Sequence, residues 1–165
     1  MDGEVPTLRE LLGHALFAEG FSDSQLDSLS QAARLCDVSK DQILFTEGTL
    51  EDDLFVVVSG HVALEMLVPR QGKIRLLTVG AGELVGWSGL IGDGRMTASA
   101  VVIQDGRLIA FSSQALLDLC HADHELGYLL MARTAKAISQ RLLATRLQLL
   151  DLFSETEPQI RPASL

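Results

Sequence analysis

The chain has 165 residues, 47% of them hydrophobic, and a formal net charge of −9. That length suits one domain with a sizeable core, and the acidic balance speaks against a nucleic-acid surface, which needs a basic patch. A mean hydropathy of +0.25 is high for a soluble monomer and points to a buried interface.

No apolar run approaches the roughly 18 residues needed to span a bilayer. The opening MDGEVPTLRE lacks the apolar core of a secretory signal. Cys36 and Cys120 lie far apart without metal-type spacing, and read as reduced, buried thiols of a cytoplasmic protein.

In chain order, TLRELLGHALF (residues 7–17) is helical, with Leu8, Leu11, Leu12, Ala15 and Leu16 on one side. His14, beside that stripe, reads as an exposed helix residue rather than a ligand. A second helix opens at Ser22 or Asp23 and runs through Leu26, Leu29 and Ala33. From Val38 the period becomes that of strands: Gln42–Thr46, Leu54–Val58, His61–Val68, Lys73–Val79, Leu84–Gly86, Met96–Ile103 and Arg107–Phe111. Two joints read as hairpins: Pro69–Gly72, and Gln104-Asp105-Gly106, where Asp-Gly sits between apolar runs. Seven short strands predict a small barrel, roll or sandwich over about 38–111.

Gly82–Val102, GELVGWSGLIGDGRMTASAVV, interrupts this series with five glycines in its first thirteen residues. Such a bend either exposes consecutive backbone N–H groups to an anion or is a plain loop between strands. After Phe111 the chain turns helical again. Ser112 or Ser113 caps Gln114–Cys120, and Asp123 caps a long helix reaching residue 153, with Glu125 in its first turn. Tyr128, Met131, Ala135, Ile138, Leu142, Thr145, Leu149 and Leu152 recur at alternating steps of three and four. A second stripe, Leu129, Ala132, Leu143, Leu147 and Leu150, lies beside it. One face can pack on the roll and the other on a second copy, which predicts a homodimer. Residues 154–165, with two prolines and little apolar content, read as a disordered tail after a single domain of residues 1–153.

ILFTEGTLEDDLFVVVSGHV (Ile43–Val62) resembles the opening signature of cyclic nucleotide-binding domains, with Glu47-Gly48, Asp53, Phe55 and Gly60 in place. GELVGWSGL followed by TASAVV resembles the family's phosphate-binding cassette and the strand after it. The match covers about residues 14–153 and is nearest the sensor half of bacterial catabolite-activator-type regulators. It implies an α+β fold: an antiparallel β-roll of jelly-roll type, flanked by N-terminal helices and a long C-terminal dimerisation helix. It also implies a non-catalytic module that binds a cyclic nucleotide such as cAMP, or another small phosphate anion, and acts through an effector protein. In the regulators it resembles, a hinge and a helix-turn-helix follow the long helix; here twelve residues follow Phe153, so the expectation is no direct DNA binding.

The resemblance places a ligand among Gly86, Trp87, Ser88, Gly89, Arg95, Met96, Thr97, Ala98 and Ser99, with Thr145 on the long helix near the base. The family's ribose-binding Glu is here Trp87, and the Arg before its Ser/Thr-Ala pair is here Met96, with Arg95 one position earlier. Losing a charge-assisted contact to phosphate removes about 1.5–3 kcal/mol. With the lost Glu contact, cAMP affinity falls by roughly 10²–10⁴-fold. Trp87 either stacks on a base or fills the ligand's space. Three function classes fit: a ligand sensor, a degenerate roll used for dimerisation or docking, and a cupin-like metal enzyme. The last needs a histidine cluster on neighbouring strands. Of His14, His61, His121 and His124, only His61 lies in the strand region, so the chain reads as no enzyme and no metal protein.

Overall fold

The computed structural model describes residues 6–154. Helices α1 (Leu8–His14) and α2 (Asp23–Gln31) both open with a capping box. The Thr7 hydroxyl accepts from the Glu10 N–H while the Glu10 carboxylate accepts from the Thr7 N–H, and Ser22 and Gln25 repeat the arrangement. α1 stops at His14 rather than running to Phe17. Leu16–Ala18 instead forms a 3₁₀ turn that buries Phe17 against Phe21 and Phe111, each with ring centroids 6.1 Å apart.

α2 ends at Gln31, not Ala33, because Ala33 already pairs with Phe111. Strand β1 (Ala33–Val38) lies antiparallel to the long strand Ser99–Ser112. The sequence reading starts the sheet only at Val38. ARLCDV has no regular inside–outside alternation, its only buried residue being Val38, so the period that reveals a strand is missing.

The seven expected short strands are six, two of them long. After β2 (Ile43–Phe45), β3 runs unbroken from Asp53 to Val68. β4 (Gly72–Val79) and the two-residue β5 (Leu84–Val85) follow, and β6 spans Ser99–Ser112. The Pro69–Gly72 hairpin forms as expected, with Arg70 and Gly72 at positive φ. The hairpin expected at Gln104-Asp105-Gly106 does not form. There β6 passes close over the Ser59-Gly60 segment of β3, and the register shifts between Val57 and Val62. A Cβ at Gly106 would lie 2.0 Å from the Ser59 carbonyl oxygen, and one at Gly60 2.7 Å from the Asp105 carbonyl oxygen. The glycines allow two long strands to bulge and coil together; they do not reverse the chain. Gly106→Ala should therefore lower stability by at least about 1–3 kcal/mol, read as a lower urea midpoint at unchanged slope.

β6 joins β1, β3 and β2, while β3 carries β4 and β5 on its other side. Both faces of the β3–β6 pair are buried, which is why their sequences are apolar runs rather than alternations. Leu54, Val56, Ile109 and Phe111 face the helices and join Leu12, Phe17, Leu29, Leu116, Leu126 and Leu130 in one core. Their neighbours Phe55, Val57, Leu108 and Ala110 face the interior of the roll with Val62, Leu64, Val85, Met96 and Val102.

Helix α4 (Ser113–Ala122) takes its N-terminal cap from the Ser112 hydroxyl. Asp123 then starts α5 (His124–Ser154): its Oδ1 accepts from the Glu125 and Leu126 N–H groups at 3.0 Å each, and its Oδ2 from Gln25 at 3.1 Å. These donors, the Leu126 N–H first, hold its carboxyl below the usual carboxylate range. Leu126, Leu130 and Thr134 are buried against the domain, whereas every residue from Leu142 to Leu150 is exposed. Of the expected tail, Ser154 ends the helix and residues 155–165 lie outside the described residues. Among the described residues no helix is long and apolar enough to cross a membrane.

Candidate ligand-binding site

The glycine-rich bend is not simple loop. Gly86 holds φ +87° at the end of β5, where a Cβ would meet the Asp53 carbonyl oxygen at 2.7 Å. The chain then winds into a one-turn helix, α3 (Ser88–Ile91), with Trp87 as its N-terminal cap. Gly89 lets that turn lie against α4: a Cβ there would sit 2.5 Å from the Ser113 hydroxyl.

The second half of the bend is locked to Thr46–Glu51 by backbone bonds: the Gly48 N–H donates to Met96, the Met96 N–H to Thr49, and the Glu51 N–H to Gly94. Glu47 ties this turn to the roll, accepting from the Leu67 N–H while donating its own N–H to the Ser99 hydroxyl. The signature residues Glu47-Gly48 thus sit in a turn bonded both to the backbone of Met96 and to the strands of the roll.

The candidate residues divide into groups. Met96, which the resemblance aligns with the family's phosphate-binding arginine, is 3% exposed and belongs to the roll's interior core. Arg95 is exposed, and its guanidinium donates to the Gly48 carbonyl at 2.6 Å. Thr97 is exposed and Ala98 half-buried against the roll core. Ser99 lines a surface cleft of about 300 Å³ with Glu47, Glu65 and Lys73; two carboxylates against one ammonium make that cleft a poor place for a phosphate. Thr145, on the exposed part of α5, donates back to the Arg141 carbonyl at 2.9 Å. His61 pairs with the Gln104 side chain at 2.5 Å, and among the described residues no three His, Cys, Asp or Glu side chains cluster as a metal site would require.

Trp87 is half-buried and packs on the helix-facing core, outside the roll. The Arg141 guanidinium lies 4.2 Å above its ring centroid and donates to the Leu84 carbonyl, a cation–π contact closed by a hydrogen bond. Burial pushes the Arg141 guanidinium down to about 10, partly offset by the charge of Glu83. Sequence reading missed Arg141 because it stands between the seam positions Ile138 and Leu142. The signal was available in its spacing from Leu126, Leu130 and Thr134, the face of α5 that packs on the domain.

The cyclic nucleotide-binding domain model matches residues 35–123. This chain belongs to that family. A curated relative, the CRP-like cAMP-activated global transcriptional regulator of Mycobacterium tuberculosis, is 26% identical over 150 residues, covering 90% of this chain and 65% of its own length. The chain thus spans just under two thirds of that protein. Among solved structures, the Thermus thermophilus catabolite activator protein aligns with a TM-score of 0.67 at 27% identity, over 87% of this chain and 63% of that one. A cyclic nucleotide-binding domain from Methylobacillus flagellatus aligns at 0.76 and 22% identity, over 94% of this chain and 85% of that one, a likeness of fold alone. The antiparallel roll with flanking helices and a long C-terminal helix is therefore the fold of the cyclic nucleotide-binding family, as the cassette-like motif implies.

Proposed function

We propose that this chain is a non-catalytic regulatory module of the cyclic nucleotide-binding family, a homodimer through α5, whose roll holds cAMP weakly or not at all. The observation that carries the reading is Met96. A cyclic phosphate at that position would be desolvated beside a buried thioether, with no fixed countercharge. Arg95 supports the reading, since its exposed guanidinium donates to the Gly48 carbonyl. Trp87, where the family places its ribose-binding acid, is held beneath Arg141. A net charge of −9 speaks against a DNA-binding surface on this stretch and favours a signal that passes through an effector, on another chain or elsewhere in a longer polypeptide. The reading of the roll as a pure docking module shares this support and differs only in having no small-molecule ligand.

A thermal melt tests the reading. A ligand that binds only the folded state at 100 times its dissociation constant adds about 2.7 kcal/mol of stability. At about 100 µM, cAMP is expected to raise the melting temperature by no more than about 2 °C, and the rise of about 5–11 °C that about 2.7 kcal/mol gives a chain of this size would overturn the proposal.

A further inference from the structure

Beside the cassette, on the flank of α5, lies a cleft of about 250 Å³ between the helix and the turn that joins β4 to β5. None of the residues Gly86–Ser99 lines it. Its helix wall carries Arg133, Lys136, Gln140 and Arg141, spaced so that one face presents them together. None of these is a seam position of the heptad pattern. Thr78 and Glu83 form the opposite lip, and Leu77, Leu84 and Phe17 supply apolar wall.

The cations are unequally satisfied. Arg133 is committed to Glu19, whose carboxylate lies 3.6 Å away and whose carbonyl it also contacts. The Glu83 carboxylate accepts from the Gly80 N–H at 2.7 Å and so stiffens the turn. Arg141 contacts the Leu84 carbonyl and the Trp87 ring; Glu83 acts on it only from beyond ion-pair distance, and no carboxylate lies within that distance among the described residues. Lys136 is exposed, and no carboxylate pairs with it among the described residues. A half-buried guanidinium with no ion-paired carboxylate is unfavourable by itself, and a planar fork suits a carboxylate or phosphate. Three cations facing two carboxylates, on a chain of net charge −9, make this cleft a local exception to the charge of the molecule.

We infer that this flank cleft is a binding site for a small organic anion, a phosphate or carboxylate on a compact apolar body, with its charge on Arg141 and Lys136 and its body against Leu77 and Leu84. The inference stands whether or not the roll binds cAMP. The volume admits a small metabolite and is below the usual range for larger ligands. Trp87 is the only tryptophan in the chain, so an anion that draws Arg141 off its ring changes the fluorescence directly.

The test is a fluorescence titration of the full chain with phenyl phosphate and, separately, benzoate; the tighter of the two names the headgroup. Saturation with a midpoint below ~5 mM by at least one is expected, unaffected by added cAMP. Arg141→Gln, which lacks the reporting contact and is therefore titrated by calorimetry beside the wild type, should weaken it at least ~10-fold. Lys136→Glu, at an exposed position, should weaken it several-fold and keeps the test standing if the first variant fails to fold. Arg95→Gln should leave the midpoint unchanged. Saturation by neither probe, an equal midpoint in Lys136→Glu and in folded Arg141→Gln, or displacement by cAMP would each overturn the inference.

Discussion

Leu142→Glu will turn the protein into monomers. Leu142, Leu149 and Tyr128 are 50%, 50% and 73% exposed on the single chain, although all three occupy the heptad positions that run down α5. A parallel two-helix seam would cover them with their own copies. Burying one leucine contributes about 1.5–3 kcal/mol, and twofold symmetry buries two. The substitution also carries two carboxylates into the seam, so the dimer dissociation constant should rise by roughly 10²–10⁴-fold. Because Leu142 makes no core contact within its own domain, the monomer should keep its melting behaviour apart from the loss of partner stabilisation. Light scattering at tens of micromolar reads the result. Wild-type monomers at that concentration, or a dimeric variant, would remove α5 as the interface.

The double variant Trp87→Glu, Met96→Arg should gain cAMP binding by at least ~10²-fold, since it restores the ribose acceptor and the phosphate countercharge together. The side chain at position 96 is buried within the roll's core, so without ligand the new guanidinium has no partner and the variant should melt below the wild type. With cAMP present the order should reverse, because the ligand supplies the missing anion. Calorimetry on the folded variant checks both halves. A folded variant that still binds no cAMP would show that these two positions do not decide affinity in this roll.

Much of the fold was legible because its signals are local. Ser22, Ser112 and Asp123 announce helix starts through side-chain oxygens that cap their own backbone, and the 3.5-residue period of α5 is unbroken. The β3–β6 core was legible as apolar content but not as two long strands. Ser59-Gly60 and Asp105-Gly106 carry the residue types of turns, and only their mutual approach shows that they coil one strand over the other. Strand β1 was hidden for the opposite reason, since its pairing with β6 does not depend on a buried face. At the site, the resemblance puts Trp87 and Met96 where the family has its acid and arginine. Where those side chains go could not be read: Trp87 turns to the helix-facing core under Arg141, which lies 54 residues further along the chain, and Arg95 turns outward to a carbonyl on a neighbouring loop.

The most direct measurement is a calorimetric titration of the wild-type chain with cAMP, run beside Arg95→Ala. With Met96 in the roll and Arg95 on the surface, both proteins should give no heat or an affinity weaker than ~100 µM, indistinguishable from one another. Micromolar binding by the wild type would contradict the account, and its loss in Arg95→Ala would assign the phosphate to Arg95.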